Sequence, residues 1–417
     1  MRILHVNKYL YRRGGAEAYM LDLAGMQAAR GDDLAYFGMQ HPDNDQSRYA
    51  AHFPALVELD PPPSSLAGRA RAVARMFWSP SSREGMAAVL TEFEPDVVHL
   101  HNVYHQLSPS ILAPLRTRPT RVVMTLHDYK LVCPSYQMLD HGRPCDACLR
   151  GGFRQAARRR CKDGSLGASA VLAAETWWHR VSRAYDRIDT FVSPSQFLAD
   201  TVVRGGIDAD RVEVVRHPVA TTGVATKSTA GGDLLYAGRI SHEKGLDVLI
   251  EAVARVLGAR LLVAGEGPTE AEARARAEAI APGRVHFLGR LAKAELYDVI
   301  RASIAVVVPS RWHENQPMAV LETFACGVPV VTTELGGLPE LVSPGDDGHV
   351  VPADDADALA AALRRVVDEP ARALTMGRAA RAKAEIWFAP ERHLEALDSL
   401  YRPVAAASAT ASAHAGS

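Results

Sequence analysis

Along the chain, short runs that are apolar on both faces alternate with longer stretches of helical period. The runs RILHVN (2–7), DLAYFGM (33–39), DVVHLHN (96–102), RVVMTLHD (121–128) and DTFVSPS (189–195) are each followed by helix-like sequence. Runs of this kind suit strands of a parallel sheet covered on both sides. The stretch after the first run, AEAYMLDLAGMQAARG, sets Tyr19, Leu23 and Met26 on one helical face and stops at Gly31, a residue suited to the position past a helix end. The pattern restarts with DLLYAGR (233–239), RLLVAGEG (260–267), VHFLG (285–289), IAVVVPS (304–310) and PVVTT (329–333). Two doubly wound α/β domains are predicted, over 1–212 and 213–386. Between them HPVATTGVATKSTAGG (217–232) lacks apolar periodicity and reads as a linker. A last helical stretch over 387–403, with Leu394, Leu397 and Tyr401 at helical spacing, is expected to pack back on the first domain, and 404–417 has nothing to bury and is expected to be disordered.

Length agrees with two domains, since 417 residues exceed one ordinary core at about 150 residues per domain. Composition is that of a globular α/β protein, with 47% hydrophobic and 23% charged residues, and a net charge of −1 argues against bulk nucleic-acid binding. Charge is unevenly spread: residues 1–212 carry 26 Lys and Arg against 22 Asp and Glu, and the remainder 21 against 26. Much of the basic excess lies in 143–162, where seven basic residues face Asp146 alone, and this insert could be a solvated surface or meet an anionic lipid or substrate. The opening RILHVN has no apolar stretch long enough for a signal-peptide core before Lys8, and no segment approaches the roughly 18 apolar residues of a bilayer span. A cytoplasmic location, at most at the inner face of the membrane, is the expectation.

Ligands of open α/β sheets sit beyond the carboxyl ends of the strands, so chemistry is sought there. After the first strand come Gly14 and Gly15, which permit close backbone approach before a helix N-terminus, without the spacing of a dinucleotide site. After LLYAG come Arg239 and, four residues of ISHE later, Lys244, two cations able to meet one polyanion. In PSRWHENQPMAVLETFACG, Pro317 suits a helix start, placing Glu314 in the loop before the helix and Glu322 about one and a half turns inside it. The free N–H groups around Met318 and Ala319 would cradle phosphate. Two carboxylates so separated fit an elongated ligand with hydroxyls on either side of a diphosphate, whereas an acid/base pair needs both at one bond. Read alone, each element also has an ordinary structural explanation, such as a tight turn, exposed cations or a solvated carboxylate.

Together, GGAE, GRISHEKGLDVLIEA, GEGP, HFLGRL and PSRWHENQPMAVLETFACGVPVVTTELGGLPELV resemble the retaining glycosyltransferases of family GT4, with the GT-B fold of two Rossmann-like domains facing across a cleft. The resemblance implies transfer of a sugar from a nucleoside diphosphate sugar to an acceptor hydroxyl, in polysaccharide, glycolipid or secondary-metabolite glycoside synthesis. It implies that Arg239 and Lys244 hold the diphosphate, Glu314 the transferred sugar and Glu322 the ribose. Gly15 would approach the phosphates, backbone near Arg290 and Leu291 would receive the base, and His127 would sit beside the sugar and the acceptor. No divalent metal is required for catalysis on this reading. Where the family often has an asparagine-glycine pair before the linker, this chain has His217 and Pro218. A nucleotide-sugar epimerase of similar fold and a non-catalytic nucleotide-sugar-binding protein are the alternatives. The acceptor, the base and the sugar are not legible.

Four of the five cysteines fall in one insert as Cys133-x11-Cys145-x2-Cys148-x12-Cys161. In a reducing compartment disulfides are disfavoured, and such a set could hold one structural zinc, with no open position for catalysis.

Overall fold

The computed structural model describes residues 1–59 and 63–402; the segment 404–417 lies outside the described residues. The first series of strands is β1 (Arg2–Val6), β2 (Asp33–Phe37), β3 (Val97–Leu100), β4 (Arg121–Thr125), a small antiparallel hairpin β5 (Leu139–Asp140) and β6 (Arg143–Pro144), then β7 (Thr190–Ser193) and β8 (Val212–Val214). The second series is β9 (Leu234–Ala237), β10 (Leu261–Ala264), β11 (Val285–Gly289), β12 (Ala305–Val308), β13 (Val330–Thr333) and β14 (Gly348–Val351). Apart from the hairpin they form two parallel six-stranded sheets, ordered β2-β1-β3-β4-β7-β8 and β11-β10-β9-β12-β13-β14. Helices cover both faces, so β3, β12 and β13 are buried along their whole length and β4 from Val122 onward, and β12 is apolar throughout.

Each apolar run of the sequence becomes a strand. The edge strands β8 and β14 escape the pattern because each is short and half polar. At β14 the register explains the composition: Gly348 pairs with Val330, where a Cβ would lie 2.4 Å from the Val330 carbonyl oxygen. The segment 217–232 has no regular element, yet it is no free tether. Val219 N–H donates to the Phe388 carbonyl (2.9 Å), Lys227 N–H to that of Cys326 (2.8 Å), and the Arg381 guanidinium to the carbonyls of Thr221 and Val224 (2.8 and 3.0 Å). It is fastened along the second domain.

The helix Pro370–Trp387 lays Ala380 and Ala384 on the second domain's core, and the chain then turns back. The helix Pro390–Tyr401 buries Leu397 and Tyr401 among Ile3, Leu23, Val97 and Val123 beneath the first sheet. Arg30 grips Asp398 through two hydrogen bonds of 2.8 Å, and Arg121 donates to the Leu400 carbonyl at 3.0 Å. Leu397 is wholly buried. Its truncation, Leu397→Ala, should therefore cost about 2–5 kcal/mol by loss of burial and an unfilled cavity. Denaturant unfolding followed by a first-domain probe checks this, and an unchanged midpoint would show that the returning helix carries no stability.

Candidate active site

In both sheets the strand order reverses beside the first strand of the series: β1 lies between β2 and β3, and β9 between β10 and β12. Crossovers leave to opposite faces at such a point and open a crevice at the strand carboxyl ends. The two crevices face each other. One cavity of about 360 Å³ is lined by Gly15, Asn102 and His127 from the first domain and by Gly238, Lys244 and Glu314 from the second. The two sides are joined directly. Asn315 Nδ2 donates to the His127 carbonyl (2.9 Å), the Tyr129 hydroxyl to the His313 carbonyl (3.1 Å), and Glu340 accepts the N–H groups of Gln196 and Phe197 at a helix start (2.8 and 2.7 Å).

On the second-domain side, Glu314 is buried, and its Oε1 accepts from Lys244 Nζ at 2.7 Å and Ser310 Oγ at 2.6 Å. Burial pushes its carboxyl pKa up, but the Lys244 ammonium and these hydrogen bonds outweigh that and leave it below the usual value. Lys244 is thus already paired with a carboxylate. Arg239, one residue past Gly238, is exposed and its guanidinium makes no ion pair among the described residues; it does not line the cavity. Met318 and Ala319 open the helix Met318–Ala325 on the cavity wall, with no side chain capping its start. Glu322 stands about 6 Å further along the axis, outside this cavity. Burial raises its carboxyl to about 7, with Lys293 lowering it and Asp22 raising it. Arg290 is exposed and Leu291 packs on the second core, in the loop leading to Lys293, which reaches Asp22 of the first domain at 3.8 Å.

On the first-domain side, Gly15 opens the first helix, and a Cβ there would meet nothing within 4 Å, so the space above it belongs to the cleft. His127 follows β4 and lines the cavity. Two wall residues escaped the sequence reading. Asp128 has its carboxyl pushed up to about 6 by burial, against the Lys130 N–H and the Lys8 and Lys130 charges; its one signal was adjacency to His127 in LHDY. His217, noted only as a departure at the hinge, is buried against the Tyr19 ring at 4.1 Å and donates its backbone N–H to Gln316 Oε1 at 2.7 Å. Asn102 Oδ1, His217 Nδ1, His313 Nδ1 and Asn315 Oδ1 are buried on cavity-lining residues without a hydrogen-bond partner among the described residues. A wall carrying so many unmet polar atoms fits a polar ligand.

The four clustered cysteines surround one small cavity beneath the β5–β6 hairpin. All are free thiols, and Cys145 Sγ accepts the Ala147 N–H at 3.5 Å. No three of the sulfurs lie within 4.8 Å of one another; among the described residues only His5, His99 and His101 form such a group. At the hairpin turn Gly142 has φ +79°, and a Cβ there would lie 2.6 Å from His242 Nε2, so the insert abuts the loop that carries Lys244. Arg150 and Arg159 pair with Asp146 and Asp140. Arg154, Arg158 and Arg160 are exposed and make no ion pair among the described residues.

Two Rossmann-like parallel-sheet domains with facing switch points define the GT-B fold. The family model "Glycosyltransferase Family 4" matches residues 13–222 and "Glycosyl transferases group 1" matches 231–369, and the chain belongs to glycosyltransferase family 4. It is 34% identical over 345 residues to D-inositol 3-phosphate glycosyltransferase 1 of Catenulispora acidiphila, covering 74% of this chain and 72% of that one. It is 35% identical over 228 residues to a glycogen synthase of Mycobacterium tuberculosis, where the match takes in 51% of this chain and only 52% of the relative. The structure of Anabaena HepE in complex with UDP-glucose superposes with a TM-score of 0.65 at 18% identity, over 96% of this chain and 100% of that one, a likeness of fold. No helix among the described residues is long and apolar enough to cross a membrane.

Removing Lys244 leaves Glu314 buried without its cation. Lys244→Met should cost about 1–3 kcal/mol of stability at neutral pH. In the wild type the Glu314 carboxyl is depressed, so its contribution is present above the unfolded pKa and lost as pH falls through the folded one. In the variant that carboxyl rises, so the gap between the two proteins should narrow from pH 8 towards pH 5. Denaturant titrations at both pH values check the sign; a gap that widens on acidification contradicts the pairing.

Proposed function

We propose that this protein is a glycosyltransferase that moves a sugar from a nucleoside diphosphate sugar to an acceptor hydroxyl with retention of anomeric configuration. The observation that carries this reading is the cavity at the two facing switch points, where the Lys244–Glu314 pair and an uncapped helix start at Met318 and Ala319 meet Gly15 and His127. Arg239, Lys244 and the helix dipole receive the diphosphate, Glu314 accepts hydrogen bonds from the sugar hydroxyls, and Glu322 accepts from the ribose. The base lies against the backbone at Arg290 and Leu291. In the step itself the bond from the anomeric carbon to the phosphate oxygen breaks, the acceptor oxygen bonds to that carbon on the same face, and the acceptor proton passes to the departing phosphate. Cations fixed beside that phosphate stabilise its charge as it develops. The reading places the enzyme in the cytoplasm, at most at the membrane's inner face, making a polysaccharide, a glycolipid or a glycoside.

A release assay over a panel of nucleotide sugars, with lipid-linked and soluble acceptors and product analysis, tests this function. Transfer is expected with one donor class and should fall by about 2–4 kcal/mol of transition-state stabilisation in Glu322→Ala. Isomerised donor without transfer would identify an epimerase, and binding without turnover a sensor. A pH signature follows from Glu322, whose free carboxyl titrates at about 7. Hydroxyl donors favour the ionised form, so binding releases a proton, and UDP-glucose affinity should rise between about pH 6 and about pH 8, then level off. Calorimetry should find that rise abolished in Glu322→Gln; an unchanged pH profile would remove Glu322 from the donor site.

We also propose that Cys133, Cys145, Cys148 and Cys161 bind one structural zinc. Their convergence on one cavity and the N–H donated to Cys145 support this reading. Zinc–sulfur bonds of about 2.3 Å require the sulfurs to close in from their present spacing. A metal there would hold the hairpin turn at Gly142 against His242 and present Arg154, Arg158 and Arg160 to an anionic acceptor or membrane surface. Metal analysis of protein purified without a metal-binding tag should find zinc near one per chain, lost in Cys145→Ser with Cys148→Ser, and transfer to the acceptor should then fall more than donor hydrolysis. Metal-free protein whose four thiols all react freely while folded would eliminate the site.

A further inference from the structure

Behind His127 runs a buried file of hydrogen-bonding side chains that the transfer reading leaves unused. His127 Nε2 lies 3.1 Å from His101 Nδ1, His101 Nε2 3.3 Å from His5 Nδ1, and His5 Nε2 2.7 Å from Gln27 Oε1. Gln27 Nε2 donates to the Tyr401 hydroxyl at 3.1 Å, that hydroxyl lies 2.7 Å from His99 Nδ1, and His99 Nε2 lies 2.7 Å from Thr125 Oγ1. Nearby, the Tyr19 hydroxyl lies 2.9 Å from His393 Nε2, and His393 Nδ1 lies 2.8 Å from the Arg216 carbonyl oxygen.

The Gln27 amide sets the direction of these bonds. Its Nε2 donates to the Tyr401 hydroxyl, so its Oε1 faces His5 and, being a carbonyl oxygen, accepts from His5 Nε2–H. His5 Nδ1 then accepts from His101 Nε2–H, and His101 Nδ1 from His127 Nε2–H. On the other side the Tyr401 oxygen, accepting from Gln27, gives its own proton to His99 Nδ1, and His99 Nε2–H meets the Thr125 hydroxyl. The counting requires neutral rings, and burial holds His5 and His393 at about 4 and His127 at about 3, with His99 and His101 also well below the ordinary value. The ring nitrogens of His5, His99 and His101 are thereby all engaged, so this group is a hydrogen-bonded core and not a metal site.

We infer that this chain, set by the Gln27 amide held between Tyr401 and His5, fixes His127 as the Nε2–H tautomer and leaves its Nδ1 as a hydrogen-bond acceptor at the cleft. His127 Nδ1 has no hydrogen-bond partner among the described residues. Gln27, His5, His101 and Tyr401 are then positioning residues, and the returning helix Pro390–Tyr401 completes the active site from behind through Tyr401. Such a site selects a ligand group that carries a hydroxyl proton where it meets His127, and rejects one in which that hydroxyl is replaced by fluorine or methoxyl. The consequence for transfer rests on the function proposed above; the tautomer does not.

Nitrogen-15 NMR of the full chain with labelled histidines at pH 7.5, with His127 assigned by its absence in His127→Gln, measures the tautomer without any turnover. The expected spectrum shows the proton on Nε2 and an imine-type shift at Nδ1; a proton on Nδ1, or an imidazolium, overturns the inference. Gln27→Met removes the link between Tyr401 and His5 while keeping side-chain length. It should release His127 into a mixture of tautomers and lower kcat roughly 10-fold to 100-fold, with little change in UDP-glucose binding. If that variant does not fold, Tyr401→Phe cuts the same link from the other side. A folded variant whose His127 keeps the wild-type tautomer would show that the chain does not set it. Absent turnover with an Nε2–H tautomer would count against the glycosyltransferase reading alone.

Discussion

A parallel sheet covered by helices on both faces has only one place where backbone and polar side chains can meet a ligand: the carboxyl ends of its strands, where crossovers part to opposite sides. Both sheets of this protein obey that constraint, and the chain uses it twice, turning one switch point towards the other. Gly15 and Asn102 mark the first crevice, Gly238 and Ser310 the second. The polar groups of the cleft are supported by strands whose side chains are nearly all closed to water.

Charge in the cleft is distributed by the same architecture. Glu314 sits where a loop passes over a helix start, deep enough to be buried, and Lys244 from the neighbouring crossover keeps it ionised. Glu322, on the helix itself, has no comparable partner and drifts towards neutrality. Two carboxylates of one helix segment therefore differ in protonation because one is paired and the other is only desolvated. Asp128, across the cleft, is likewise raised by burial, although the Lys130 N–H and the Lys8 and Lys130 charges oppose it.

The C-terminal helix ties the second domain to the first. It closes the base of the first sheet with Leu397 and Tyr401, and its Tyr401 hydroxyl enters the file of histidines that ends at His127. Packing and polar satisfaction are thus served by one element: Tyr401 fills apolar space with its ring and meets Gln27 and His99 with its hydroxyl.

The sequence alone determined the two α/β series, because parallel strands buried on both faces must be written as continuous apolar runs and their helices as periodic ones. It also marked Lys244, Glu314, Met318 and Ala319, since strand ends and a proline at a helix start place them locally. Tertiary structure alone decided what meets across the chain. It showed Lys244 on Glu314, His217 in the cleft wall, the hairpin against His242 and a linker strapped to its own domain. The strands β8 and β14 were invisible because VEV and GHVV are too short and too broken by polar or small residues to stand out as apolar runs. The histidine file was invisible for a deeper reason. Its members, from His5 to Tyr401, are brought together only when strand register and the returning helix are in place, and an imidazole in a buried strand reads like any other polar interruption until its partners are seen.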